Sequence, residues 1–182
     1  MARKKITKPN NWIVLTGAPS SGKTTLLRLL EQQGYRVVYE LARTYIDQEM
    51  AKGLSLAEIR KDELAFQQKI LQLKVDVEKT LPNDEYVFLE RGIPDSIAYY
   101  EVCGVKREKL LNKHSAASSY HKVFLLELPE FIPDYARTEN AELAQRLEQL
   151  LEQSYLSLGM PITRIPSMTI EDRLQFILKE AL

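Results

Sequence analysis

The chain has 182 residues, which suits one domain around a single sizeable core. Its 25 lysines and arginines balance 25 aspartates and glutamates to a formal net charge of zero, which argues against a nucleic-acid binder working through bulk electrostatics. One cysteine cannot form an internal disulfide, no stretch approaches the roughly 18 apolar residues of a membrane span, and the start of the chain has no apolar signal-peptide region, so the expected setting is the cytoplasm, with no membrane partner.

Arg3-Lys4-Lys5 with Lys8 reads as a solvated basic tail. Trp12-Ile13-Val14-Leu15-Thr16 has the length and character of a buried strand. It runs into Gly17-Ala18-Pro19-Ser20-Ser21-Gly22-Lys23-Thr24-Thr25, which fits the phosphate-loop pattern G-x-x-x-x-G-K-[ST] without mismatch. Good helix formers follow from Thr25 to Gln33, ending at Gly34. Strand, glycine loop and helix form the context that the motif requires. Its glycines let successive N–H groups turn inward at a helix N-terminus, where anions are held. Lys23 would reach the β- and γ-phosphates, and the Thr24 hydroxyl would take part in a Mg²⁺ shell. A plain Gly/Ser turn is the alternative, but Lys-Thr at the helix start then has no packing use.

Tyr35 to Tyr39 reads as a second strand that stops at Glu40, with a helix starting at Leu41. Glu40 reads equally as a solvated loop acid or as an active-site base, and Arg43 as its partner. Ser55-Leu56-Ala57-Glu58 forms a capping box ahead of a long helix whose stripe of Phe66, Ile70, Leu73 and Val77 predicts core packing. Leu81 to Asp84 make a turn. A third strand, Tyr86 to Leu89, ends in Glu90-Arg91-Gly92-Ile93-Pro94-Asp95. An acid at a strand end beside a phosphate loop is placed to meet metal or transferable phosphate, and Arg91 to neutralise phosphate charge through its donor fork. An exposed Glu-Arg pair is the bland alternative; the loop upstream favours the functional one.

Two short helices, Ser96 to Val102 and Lys106 to His114, flank Gly104, and Cys103 between them reads as a small core residue. His121 to Leu128 forms a fourth strand, ended by Pro129. The following polar segment to Thr138 reads either as a flap carrying Arg137 or as a plain connection to an amphipathic helix with Leu143, Leu147, Leu150 and Leu151. Ile162 to Ile165 suits a last strand, and Thr169 caps the last helix. The alternation of strands and helices predicts a parallel sheet covered on both faces.

Taken together, Gly17 to Thr25, Tyr39 to Arg43, Glu90 to Tyr100, Asp134 to Arg137 and Tyr155 to Gly159 resemble, in that order, the small AAA-type ATP-binding family related to the kinase domain of NadR, a ribosylnicotinamide kinase. Nucleoside and nucleotide kinases are similar more broadly. The resemblance runs from Trp12 to Leu178. It implies an α/β three-layer P-loop NTPase fold, with a five-stranded parallel sheet in the order 2-3-1-4-5. A single nucleotide-binding domain would then fill residues 1–182, with a lid-like segment over about 129–159. By the same resemblance Glu40 matches the base that acts on an acceptor hydroxyl, Glu90-Arg91 the pair that engages metal and phosphate, and Asp134 and Arg137 the lid motif. Glu90 departs from the aspartate more usual there.

The expected activity is therefore a kinase-like phosphotransfer from Mg-ATP (or GTP) to a small hydroxyl or phosphate acceptor. Lys23, Glu40, Arg91 and Arg137 would act on the reacting groups, Thr24 and Glu90 on the metal, and Arg43, Asp95 and Asp134 would line the acceptor pocket. A nucleotide-dependent switch or slow NTPase acting through a protein partner is the second reading.

Overall fold

The computed structural model describes residues 10–128 and 138–182. Strands β1 (Trp12–Thr16), β2 (Arg36–Val38), β3 (Val87–Glu90), β4 (Lys122–Leu126) and β5 (Thr163–Ile165) form one sheet. Their order is β2-β3-β1-β4-β5, and every neighbouring pair is parallel. Trp12 pairs with Val87 on one side, and Ile13 pairs with Lys122 on the other. The helices are α1 (Lys23–Gln32), α2 (Leu41–Ala51), α3 (Leu56–Ile59), α4 (Glu63–Thr80), α5 (Asp95–Val102), α6 (Lys109–Ala117), α7 (Thr138–Leu156) and α8 (Ile170–Ala181).

Strand side chains alternate between faces, and β1 sorts the core accordingly. Ile13 and Leu15 pack with Leu26, Leu27 and Leu30 of α1 and with Leu174, Ile177 and Ala181 of α8. Trp12 and Val14 turn the other way, joining Val87, Leu89, Val123 and Tyr155 of α7. Beyond them α4, α5 and α6 share a cluster that includes Leu71, Val75, Ile97, Tyr100 and Leu111. The result is a three-layer α/β/α sandwich. Leu26, Leu27 and Leu30 are wholly buried, and the 3.6-residue period that places them on one face contributes about 1.5–3 kcal/mol for each side chain.

The order in which strands are added reverses at β1, with β3 and β2 on one side and β4 and β5 on the other, and the carboxyl end of β1 enters the glycine loop. This is the switch point at which open parallel sheets bind ligands. Arg173 of α8 braces it from below: its guanidinium donates to Ser21 O at 2.6 Å, Glu127 O at 2.7 Å and Pro166 O at 3.1 Å.

Three local expectations are corrected. The Ser55–Glu58 capping box does form, but it starts the single turn α3; Asp62 caps the long helix by accepting from Ala65 N at 3.0 Å. On that helix Leu73 and Val77 are only half-buried, and Leu71 and Val75 fill the core in their place. Cys103 is half-buried rather than in the core, and burial pushes its thiol up to about 11. Among the described residues no helix is long and apolar enough to cross a membrane.

Candidate functional site

The glycine loop is shaped by backbone geometry. Gly17 has φ 139°, and a Cβ there would lie 2.5 Å from Leu126 O, so only glycine fits between β1 and β4. Gly22 has φ 94° and leads into α1, whose first turn has neither a side-chain cap nor an acidic residue. Those open N–H groups, with the helix dipole behind them, make an anion site. Pro19 and Ser20 form the exposed tip. Lys23 folds back over the loop, donating to Ala18 O at 2.7 Å, Gly17 O at 3.1 Å and Ser21 Oγ at 3.1 Å. Burial, reinforced by the nearby Arg91 guanidinium, lowers its ammonium to about 7.

Glu90 ends β3 beside the loop. Thr24 Oγ1 donates to Glu90 Oε1 at 2.8 Å. A hydroxyl and a carboxylate at the edge of the anion site are hard oxygen donors, and they fit Mg²⁺ that is shared with phosphate oxygens and water. Among the described residues no group of three or more His, Cys, Asp or Glu forms a metal cage by itself.

The chain then turns sharply at Arg91, held at φ 69°, a left-handed conformation that costs a non-glycine residue on the order of 1–3 kcal/mol. A dense polar network offsets that strain. Arg91 N donates to Leu15 O at 3.0 Å. The guanidinium donates to Gly17 O at 3.0 Å, Glu40 Oε1 at 3.1 Å and Asp95 Oδ1 at 3.4 Å, and it lies 5.0 Å from the Tyr99 ring. Asp95 is wholly buried; it accepts from Thr16 Oγ1 at 2.6 Å, from Gly92 N at 3.0 Å and from the Tyr155 hydroxyl. The Tyr120 hydroxyl accepts from Ile93 N at 2.9 Å and donates to Glu78 Oε1 at 2.7 Å. A Cβ on Gly92 would meet the hydroxyls of Tyr120 and Tyr155 at 2.8 Å each, which explains glycine at a position with ordinary backbone angles.

A cavity of about 230 Å³ opens against this corner, sized for one small molecule. Glu40, Glu90 and Arg91 form its wall on the loop side. Phe66, Gln67, Ile70 and Lys74 of α4 also line the cavity, with Ser96 and Tyr99 of α5. Arg43 and Arg60 complete it from α2 and the end of α3. Arg60 is held by Glu63 at 3.0 and 2.8 Å and lies 5.2 Å from the Phe66 ring. Gln67 Nε2 donates to the same Glu63 at 2.8 Å.

With this geometry in view, comparison with known proteins gives a consistent result. The family described as AAA domain matches over residues 12–173. The chain belongs to this family. No curated protein sequence matches it. Among solved structures, this AAA domain resembles thymidylate kinase from Ehrlichia chaffeensis, at a TM-score of 0.67 and 14% identity over 96% of this chain and 100% of the other. Deoxyadenosine kinase from M. mycoides with bound dATP gives 0.64 and 16% over 93% and 97%. NadR protein in complex with NR gives 0.68 and 18% over 94% of this chain but 51% of NadR, so the domain spans about half of that protein. At these identities the likeness is one of fold, a kinase-like P-loop fold.

The AAA domain brings Gly17 to Thr25, Glu40, Glu90 and Arg91 into one neighbourhood, with Arg43 at the cavity edge. Arg43 pairs with Asp47 at 3.4 Å rather than with Glu40. Asp95 does not line the cavity: it lies beneath it as the hub of the corner. Asp134 and Arg137 fall outside the described residues. Sequence reading passed over Lys74, Gln67 and Arg60, and named Tyr155 only within a resembling segment, without a contact. It also assigned Phe66 and Ile70 to core packing, where both line the cavity. The one available signal was Lys74 itself, a lysine four residues past Ile70 and eight past Phe66, and so on their apolar face.

Proposed function

We propose that this AAA domain transfers the γ-phosphoryl group of Mg-ATP, or GTP, to a small hydroxyl or phosphate acceptor held in the cavity. The observation that carries this reading is the junction at Arg91, one side chain bonded both to the glycine loop through Gly17 O and to the cavity wall through Glu40. A switch needs a nucleotide site alone; a walled cavity sharing a residue with the phosphate loop suits two substrates whose reacting ends meet.

The loop amides and Lys23 hold the triphosphate, and the arriving phosphate returns the proton that burial disfavours on Lys23. Thr24 and Glu90 would hold Mg²⁺, and the metal, when bound, would neutralise charge on the phosphate. Arg91 Nε engages Glu40 Oε1, which leaves Oε2 of the half-exposed carboxylate to accept the proton of an acceptor hydroxyl. As the acceptor oxygen bonds to the γ-phosphorus, the bond to the β–γ bridging oxygen breaks and the nucleoside diphosphate leaves. Arg91 faces the charge that develops, and Arg137, assigned on sequence alone, is proposed to join it.

The test is release of ADP from Mg-ATP with and without a panel of nucleosides, ribosides and nucleoside monophosphates. Acceptor-dependent release is expected in the wild type. In Glu40→Gln transfer falls by roughly 10²–10⁴-fold, while affinity for Mg-ATP is unchanged. Slow release indifferent to every acceptor would overturn the kinase reading in favour of a switch or hydrolase, and equal loss of nucleotide affinity in Glu40→Gln would make Glu40 a structural or metal residue.

A further inference from the structure

Lys74 has a setting that closely parallels that of Lys23. Lys23 is 3% exposed and Lys74 is 6% exposed. Lys23 donates to two backbone carbonyls and a serine hydroxyl; Lys74 donates to one backbone carbonyl, Gly92 O at 3.0 Å, and one serine hydroxyl, Ser96 Oγ at 3.2 Å. Among the described residues neither has a carboxylate oxygen within 4.0 Å. Burial lowers the ammonium of both. The Lys23 setting is that of an anion site waiting for its anion, so the Lys74 setting reads the same way.

The cavity supplies the rest. Of its four lining cations, Arg43 pairs with Asp47, Arg60 with Glu63, and Arg91 with Glu40 and Asp95. Lys74 alone is left without a carboxylate partner among the described residues. An ammonium has three donors, and two are used. The Ser96 hydroxyl accepts from Lys74 and keeps its own proton to donate, and both side chains line the cavity. Two donors, one of them cationic, thus lie on the same wall.

We propose that Lys74 and Ser96 seat an oxyacid group of the acceptor, so that the molecule taken into the cavity is an anion bearing a phosphate monoester or a carboxylate. This rests on the cavity's being the acceptor site of the phosphotransfer reading. Asp95, Glu40 and Glu78 act on Lys74 through space but none contacts it; a neutral molecule would leave it with no direct ion pair, whereas an oxyacid pairs with it in a dry site where charge-assisted hydrogen bonds are strong.

The test is calorimetric titration of the full chain, loaded with Mg-AMP-PNP, using matched pairs: thymidylate against thymidine for the phosphate, and orotidine against uridine for the carboxylate. At least one anion is expected to bind tenfold or more tightly than its neutral partner, and the pair that shows the preference names the oxyacid. Lys74→Met, close in volume, loses that preference and keeps its affinity for Mg-AMP-PNP. Equal or tighter binding of both neutral partners, failure of both anions to bind, or a preference that survives in Lys74→Met would each overturn the proposal. If the variant does not fold, the wild-type pairs decide alone. No turnover is read, so failure here is separate from failure of the kinase reading, which shows as acceptor-indifferent ADP release.

Discussion

The two ends of the site meet at Arg91 but are built on opposite plans. The phosphate end is one continuous run, Gly17 to Thr25, and its ligand groups are mostly backbone N–H at the start of α1. The acceptor end draws side chains from Glu40 to Tyr99, out of four helices and two strand ends, with no two elements adjacent at the cavity for the same reason. Backbone geometry recurs wherever the turn recurs, so the first end is generic to the fold. Side chains on separate elements are chosen independently, so the second is particular to this chain.

The largest effect is expected where the generic end depends on a single side chain. Lys23→Met removes the one mobile cation of the loop, and turnover should fall by about 10²–10³-fold or more, the range set by loss of one preorganised charge-stabilising donor. The same variant sharpens the electrostatic reading. In the free protein Lys23 is lowered to about 7 by burial, so at pH 8 most of it is neutral, and bound phosphate restores the proton. Mg-ATP binding at pH 8 should therefore take up a proton, measured as a binding enthalpy that depends on the ionisation heat of the buffer. Lys23→Met should abolish that dependence. Proton uptake persisting in the variant would place the titrating group elsewhere.

A second change breaks the distinction between the ends. Asp95 belongs to neither surface, yet Thr16, Gly92, Tyr155 and Arg91 all converge on it. Asp95→Ala leaves the Thr16 and Tyr155 hydroxyls and part of a buried guanidinium without an acceptor, while Gly92 N keeps the Tyr155 oxygen at 3.2 Å; this should cost about 3–5 kcal/mol in urea unfolding. Since Arg91 also carries Gly17 O and Glu40, nucleotide and acceptor binding should weaken together. Loss of one without the other would show that the corner does not couple the two ends.

The same contrast governs what could be read before folding. The phosphate loop, all five strands, the parallel order and the proximity of Glu40, Glu90 and Arg91 were legible, because strand length, turn chemistry and helix starts are local signals, and the family resemblance supplied the order. Lys74 was not, since a lysine within an apolar stripe looks like a snorkelling surface residue until the second wall of its cavity is known. Asp95 was expected in the acceptor pocket, and only the distant Thr16 and Tyr155 hydroxyls, which no local signal brings near it, take it beneath the cavity instead. The capping box at Ser55 carried its local meaning correctly, yet the helix it starts ends after a single turn because Asp62 opens another. Sequence distance, rather than chemistry, separates what was visible from what was not.

The smallest effect is also the most discriminating, because a buried carboxyl and a buried lysine should bend stability with pH in opposite directions. Glu78 holds Tyr120, and through it Ile93 N, on the acceptor side. Burial raises its carboxyl to about 7, with the Tyr120 hydrogen bond opposing. A carboxyl whose folded value lies above its unfolded value near 4.5 binds its proton more tightly when folded, so stability falls as pH rises from about 4.5 to about 7. Lys23 has the reverse sign: its folded value lies below the usual 10.5, so stability rises between about 7 and 10.5. Glu78→Gln keeps an acceptor for Tyr120 and loses the titration; relative to wild type it should gain on the order of 1 kcal/mol between pH 5 and 8, reduced by the water that reaches this half-buried site. Lys23→Met should leave that lower limb intact and shrink the upper one, to which the buried Lys74 also contributes. Urea unfolding of both variants from pH 5 to 10 separates the limbs. A lower limb that survives in Glu78→Gln would mean that another carboxyl, not Glu78, carries it.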